Sequence, residues 1–154
     1  MIDTNTFLRG FASRNSAATR LLRSAENRVF VTLLSKPVLD EYHAVLLHDF
    51  VRTKFPEITP QWVEKVIARL LFAGEYVRFP NVRFEYPRDP ADQKFVELAI
   101  KLKATHILSS DQDLLSLPGS NSDAGKRYRQ RLPATQIVDA GTFCQLYADE
   151  LGIC

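Results

Sequence analysis

The stretch THILSSDQDLL, residues 105–115, decides how this chain is read. Its first five residues form a short β-branched and apolar run, the pattern of a buried strand. A polar segment follows, with Asp111 and Asp113 two positions apart, as a loop at the carboxyl end of that strand. Open α/β sheets place their sites at this end of parallel strands. Working outward, Asp89-Pro90 opens a helix that runs to residue 103. Downstream, residues 136–138 read as a last strand and residues 142–151 as a closing helix.

The same alternation holds upstream. Residues 6–12 and 17–25 read as two helices, with Ser13, Arg14, Asn15 and Ser16 supplying break and cap. Residues 28–34 (RVFVTLL) read as a strand. Ser35 and Pro37 open a helix whose apolar face carries Val38, Leu39, Tyr42, Val45, Leu46 and Phe50. A further helix follows Thr59 and Pro60, grouping Trp62, Val66, Ile67, Leu70 and Leu71, and residues 75–79 read as a short strand. Strands alternating with helices predict an α/β domain with a mostly parallel sheet. A length of 154 residues suits a single domain spanning 1–154.

Composition narrows the function classes. There is no apolar run long enough to span a membrane and no basic-then-apolar leader, so the expected compartment is the cytoplasm. Cys144 and Cys154 form no CxxC site, and with His43, His48 and His106 they have no zinc spacing; a core thiol and a tail thiol are expected. Lysine and arginine total 20 against 18 acids. If five of those acids share one pocket, the remaining surface is distinctly basic, which suits a polyanionic substrate held near metal ions.

Each candidate acid has an ordinary reading beside the functional one. Asp3 ends a stub of only Met1 and Ile2, either as a helix N-cap or as a strand-end ligand. Glu41 borders the apolar face of its helix, whereas Asp40 points to solvent. Asp92 falls among Phe95, Val96, Ala99 and Leu102, as part of a capping box or as a ligand. Asp111 follows a strand; Asp113 either joins it or caps the next turn. Hard divalent ions such as Mg²⁺ or Mn²⁺ take such oxygen ligands, and crowded carboxylates without cations repel. Residues 118–133 mix turn residues with Lys126, Arg127, Tyr128, Arg129 and Arg131. That segment is either a solvated loop or a mobile arm touching RNA phosphates, with Tyr128 stacking a base.

Four blocks in order, IDTN, SKPVLDEYHAVL, RDPADQKFVELAI and THILSSDQDLL, resemble the PIN-domain family, in particular bacterial toxin components of toxin–antitoxin pairs. VDAGTFCQLY looks like the family's ending. The resemblance implies a three-layer α/β/α fold with a five-stranded mostly parallel sheet and metal-dependent cleavage of RNA. It also implies a possible antitoxin partner and a possible homodimer. Carried over residue by residue, it makes Asp3, Glu41, Asp92 and Asp111 the ligands of Mg²⁺ or Mn²⁺, with Asp113 assisting. Asn5 and Ser109, the latter where the family often has Thr, would orient the carboxylates. The alternative is a non-catalytic PIN-like module that binds RNA or protein without cutting. Two departures stand out. Residues 118–133 are longer and more basic than the usual connection. The first strand lacks several apolar residues, so the expectation is a natural start upstream, unless the sheet tolerates the gap or something else fills it.

Overall fold

The computed structural model of the chain describes residues 1–12 and 15–152. Ser13, Arg14 and Cys154, for which a linker and a tail thiol are expected, lie outside the described residues. Helix α1 (Thr4–Ala12) begins directly after Asp3, two residues earlier than the pattern predicts. Helix α2 (Ala17–Glu26) is capped by Ser16, whose hydroxyl accepts the amide of Thr19 at 3.1 Å. The two helices meet at Gly10: a Cβ there would lie 2.3 Å from Leu22 Cδ1, so any side chain at this position would displace Leu22.

Strand β1 (Leu33–Ser35) is shorter and later than the run 28–34 predicts. Arg28 turns the chain out of α2 with a φ of 57°, and Val31 is exposed, so the first part of RVFVTLL is a connection. Helix α3 (Lys36–Leu46) starts at Ser35 and Pro37 as expected and buries Val38, Leu39, Tyr42 and Leu46. Phe50 does not share that face. It sits in the separate helix α4 (Asp49–Lys54) and is 71% exposed. Helix α5 (Pro60–Ala73), capped by Thr59, buries Val63, Val66 and Leu70, while Leu71 turns outward. Strand β2 (Glu75–Val77) follows.

A 3-10 turn at Pro90–Asp92 leads into helix α6 (Gln93–Leu102), then strand β3 (His106–Leu108) and helix α7 (Gln112–Ser116). Residues 118–133 are largely helical, not an irregular loop. They hold the end of a 3-10 turn and helix α8 (Asp123–Arg131), capped by Ser122. Tyr128 is buried at 1% exposure, its hydroxyl donating to the Thr135 carbonyl at 3.0 Å, so its ring is unavailable to stack on a base. Strand β4 (Gln136–Val138) and helix α9 (Ala140–Leu151), capped by Asp139, close the fold.

The chain is an α/β protein, mostly helical, with small parallel sheets. β1 pairs parallel with β2, Leu33 opposite Glu75, and β3 with β4, His106 opposite Gln136. The expected five-stranded sheet is not seen among the described residues. Each strand supplies three residues, and the Met1–Ile2 segment contributes one parallel bridge, from Ile2 to Leu108. That bridge still fixes the start of the chain: the Asp3 amide donates to the Leu108 carbonyl at 2.8 Å, and the Leu108 amide to the Met1 carbonyl at 2.9 Å. Ile2, Leu34, Val38, Leu98, Ile107 and Leu108 are nearly inaccessible and belong to one apolar cluster. Cys144 is buried, as a core thiol should be. No helix among the described residues is long and apolar enough to cross a membrane.

Candidate active site

Asp3 is buried at 2% exposure between the end of the Ile2 bridge and the first turn of α1. Both carboxylate oxygens are engaged. Oδ1 accepts the amide of Thr6 at 2.6 Å, and Oδ2 accepts the hydroxyl of Ser109 at 2.5 Å. The N-cap reading therefore holds for one oxygen. Burial pushes the Asp3 carboxyl above its ordinary pKa, and the donors from Ser109 and Thr6 oppose that shift.

Ser109 follows β3 and faces two ways. Its hydroxyl donates to Asp3 and accepts the amide of Asp111 at 2.9 Å. One side chain thus ties the carboxyl end of β3 to the acid at the chain's start. Asp111 in turn accepts the amide of Asp113 at 2.7 Å and caps α7. Asp113 points elsewhere, pairing with Arg88 at 2.6 Å, while the Tyr86 hydroxyl donates to its carbonyl at 2.7 Å.

Glu41, on α3, reaches the same region through neighbours. Its Oε1 accepts the hydroxyl of Thr4, the residue after Asp3, and its Oε2 pairs with Lys94 on α6. Lys94 also donates to the Ala91 carbonyl in the turn that carries Asp92. Asp92 is half-buried, and its carboxyl is pushed up to about 7 by burial first, then by the charges of Asp89, Asp111 and Asp3. Asp89 accepts the Ala91 amide at 2.9 Å, the cap expected of an Asp-Pro start. Tyr42, stacked on Phe7 at 3.8 Å between centroids, donates to the Ile2 carbonyl beneath these acids. Its phenol is raised well above the usual range by burial, then by Asp3 and Glu41.

Ser109 therefore links Asp3 to the backbone of Asp111, and the charges of Asp3 and Asp111 act on Asp92, while Glu41 is tied in through Thr4 and Lys94. Among the described residues, however, no three of these acids are arranged to hold an ion as they stand. The donor set is chemically suited to a hard divalent cation. Asn5 is exposed and bonds to no acid among the described residues, so the orienting work falls to Ser109 and Thr4.

The basic residues of α8 divide. Arg129 donates to the carbonyls of Pro118 and Ser120, both at 2.8 Å, and Arg131 to that of Arg83 at 2.8 Å. Lys126 and Arg127 have only loose ion pairs at 3.6 Å, with Asp123 and Glu85. Sequence reading missed Thr4, Tyr86, Arg88 and Lys94. Lys94 had a signal, since it lies two positions after Asp92 within RDPADQK; the others depend on how distant loops meet.

Compared with known families, residues 1–113 match the model of the PIN domain. The chain belongs to the PIN-domain family. This PIN domain is 29% identical over 124 residues to an uncharacterized protein of Methanocaldococcus jannaschii, covering 79% of this chain and 76% of that one. No solved structure matches significantly. The family is one of metal-dependent nucleases, and PIN domains typically bind divalent metals. The family match covers all five acids, from Asp3 to Asp113, and ends before α8.

Proposed function

We propose that this PIN domain is an endoribonuclease that hydrolyses RNA phosphodiester bonds with Mg²⁺ or Mn²⁺, using Asp3, Glu41, Asp92 and Asp111 as the ligand set. What supports the reading is the Ser109 hydroxyl, which joins the Asp3 carboxylate to the Asp111 amide across more than a hundred residues of sequence. A buried serine that holds the Asp3 carboxylate and the backbone of Asp111 at a strand end fixes their relative placement, which helix capping alone does not require.

A divalent ion bound by these oxygens supplies Lewis-acid polarisation of the phosphodiester and lowers the pKa of water. The chain's own residues do the rest. Ser109 and Thr6 hold Asp3 in one rotamer, Thr4 holds Glu41, and Asp111 is fixed by its cap on α7. With an ion bound, the Asp92 carboxyl would stay ionised as a ligand; without one, burial and the neighbouring acids push it up to about 7. Asp113 assists from the side and aligns Arg88, whose side chain is 63% exposed and whose guanidinium suits a backbone phosphate. Lys126 and Arg127 are the members of the basic cluster free enough to exchange partners for phosphates.

The test is cleavage of single-stranded RNA by purified protein with Mn²⁺, compared with chelator and with Asp111→Asn. Loss of cleavage in both controls supports the reading. RNA binding that persists with no metal-dependent cutting would favour the non-catalytic module. We further propose that the protein acts as the toxin of a toxin–antitoxin pair, held by an antitoxin and active as a homodimer. This extension rests on the four resembling blocks. Growth arrest on expression, relieved by Asp111→Asn, would support it.

A further inference from the structure

Residues 79–86 form no regular element, yet the end of this segment is held in place by α6. The Phe84 amide donates to Glu97 Oε1 and the Tyr86 amide to Gln93 Oε1, both at 3.1 Å. Across from it stands the first turn of α8, capped by Ser122. Between the two lies a cavity of about 390 Å³, within the size range of small-molecule sites.

Its lining divides by chemistry. Tyr86, Leu117 and Ala124 are buried apolar walls, and the Tyr86 hydroxyl is already committed to the Asp113 carbonyl. The charged members are Arg88 and Arg127 against one acid, Asp123, which pairs loosely with Lys126 at 3.6 Å. Arg127 is held only by Glu85 at 3.6 Å, beyond hydrogen-bond reach, and its side chain is 44% exposed. An apolar slot edged by two guanidinium groups matches a flat base joined to a phosphate. Its volume suits one base with its ribose better than a helix or strand of a protein.

Asp113 connects this cavity to the candidate active site. Its amide donates to Asp111 Oδ1 at 2.7 Å, its carboxylate holds Arg88 at 2.6 Å, and its carbonyl accepts the hydroxyls of Tyr86 and Ser116. A phosphodiester strand leaving the acids on this side meets Arg88 next. The wall formed by α8 lies beyond the residues that match the PIN-domain model, which end at 113.

We propose that this cavity is the subsite for one nucleotide of single-stranded RNA beside the cleaved bond, taking the base against Tyr86 and Leu117 and a phosphate on Arg88 and Arg127. This rests on the nuclease reading above and adds the path of the substrate strand. A base can enter such a slot only when it is unpaired, so duplex RNA is excluded from it.

The experiment is fluorescence anisotropy of a short labelled single-stranded RNA in chelator, so that binding is read without cleavage. Ser116→Phe places a ring at an exposed position on the cavity's edge. It is expected to weaken binding at least about fivefold, the lower end for one stacked base, with the salt dependence unchanged. Arg127→Gln is expected to weaken binding and to flatten the salt dependence by about 0.7 of a unit of slope. Duplex RNA of the same sequence should not respond to Ser116→Phe. In wild type, thiouridine-substituted RNA should crosslink within residues 86–88 or 116–127, a readout that needs no variant to fold. Unchanged single-strand binding by a folded Ser116→Phe, an equal loss for duplex, or crosslinks confined to other residues would overturn the subsite. Each leaves the nuclease reading standing, because cleavage is read separately with Mn²⁺. Binding and crosslinks as expected, with no Mn²⁺-dependent cleavage by wild type, would overturn the nuclease reading while supporting the cavity as an RNA site.

Discussion

The hydroxyl of Ser109 donates to Oδ2 of Asp3 at 2.5 Å, with both residues buried and 106 positions apart in the chain. Removing that donor leaves a buried carboxylate oxygen without its bond. Ser109→Ala is expected to cost about 1–3 kcal/mol in chemical denaturation. Ser109→Thr keeps a hydroxyl at the same place and is expected to cost less. Equal losses in the two variants would mean that packing, not the hydroxyl, matters at this position.

Tyr42 tests the support beneath the acids. Tyr42→Phe keeps the stack on Phe7 and deletes the bond to the Ile2 carbonyl, at an expected cost of about 1 kcal/mol. Tyr42→Ala also opens a cavity under Asp3 and should cost about 3–5 kcal/mol. The unfolding free energies of the pair separate hydroxyl from ring.

Asp92 makes stability depend on pH in a particular sense. Its folded pKa is raised to about 7 from an ordinary 3.8, so the native state holds the extra proton between those values. The contribution is favourable at low pH and is lost as pH rises through about 7. Without metal, Asp92→Asn should therefore melt higher than wild type at pH 8, by roughly 2–4 °C for a chain of this size. The gap should narrow as pH falls below about 7 and close only near the ordinary value of 3.8. Saturating Mn²⁺ should reverse the order at pH 8, since only wild type gains the full binding energy.

The cationic residues of α8 should separate by role. Arg129→Ala frees the carbonyls of Pro118 and Ser120 and should lower stability by about 1 kcal/mol. Lys126→Ala should leave stability within about 0.5 kcal/mol. It should weaken RNA binding and flatten the salt dependence by about one unit of slope, as loss of one phosphate contact does. Binding at several salt concentrations distinguishes the two.

What the sequence made legible follows from which forces are local. Caps and prolines located α3, α5 and the start at Asp89-Pro90, because Pro37, Thr59 and Asp89 act within a few residues of themselves; the Ser35 hydroxyl makes no cap bond. The strand 136–138 was placed to the residue. Residues 118–133 misled because α8 is strongly polar along its length, and only Ala124, Gly125 and Tyr128 are buried. A helix that owes its place to Tyr128 and to arginine bonds with distant carbonyls leaves little apolar period to read. RVFVTLL misled in the opposite way, since β propensity cannot register the turn at Arg28. At the site, the five acids were legible as types on the right elements. The bonds through Ser109, Thr4 and Lys94 were set by packing between elements far apart in sequence, and only Ser109 carried a prior expectation.

The most direct test of the account is the rate of RNA cleavage as a function of Mn²⁺ concentration, for wild type and for Asp92→Asn, with folding of both verified. The account predicts saturable, Mn²⁺-dependent cleavage by wild type and a loss of at least about tenfold in the variant, the scale expected when the hold on the divalent ion is weakened. Cleavage that is independent of metal, or equal in the two proteins, would contradict it.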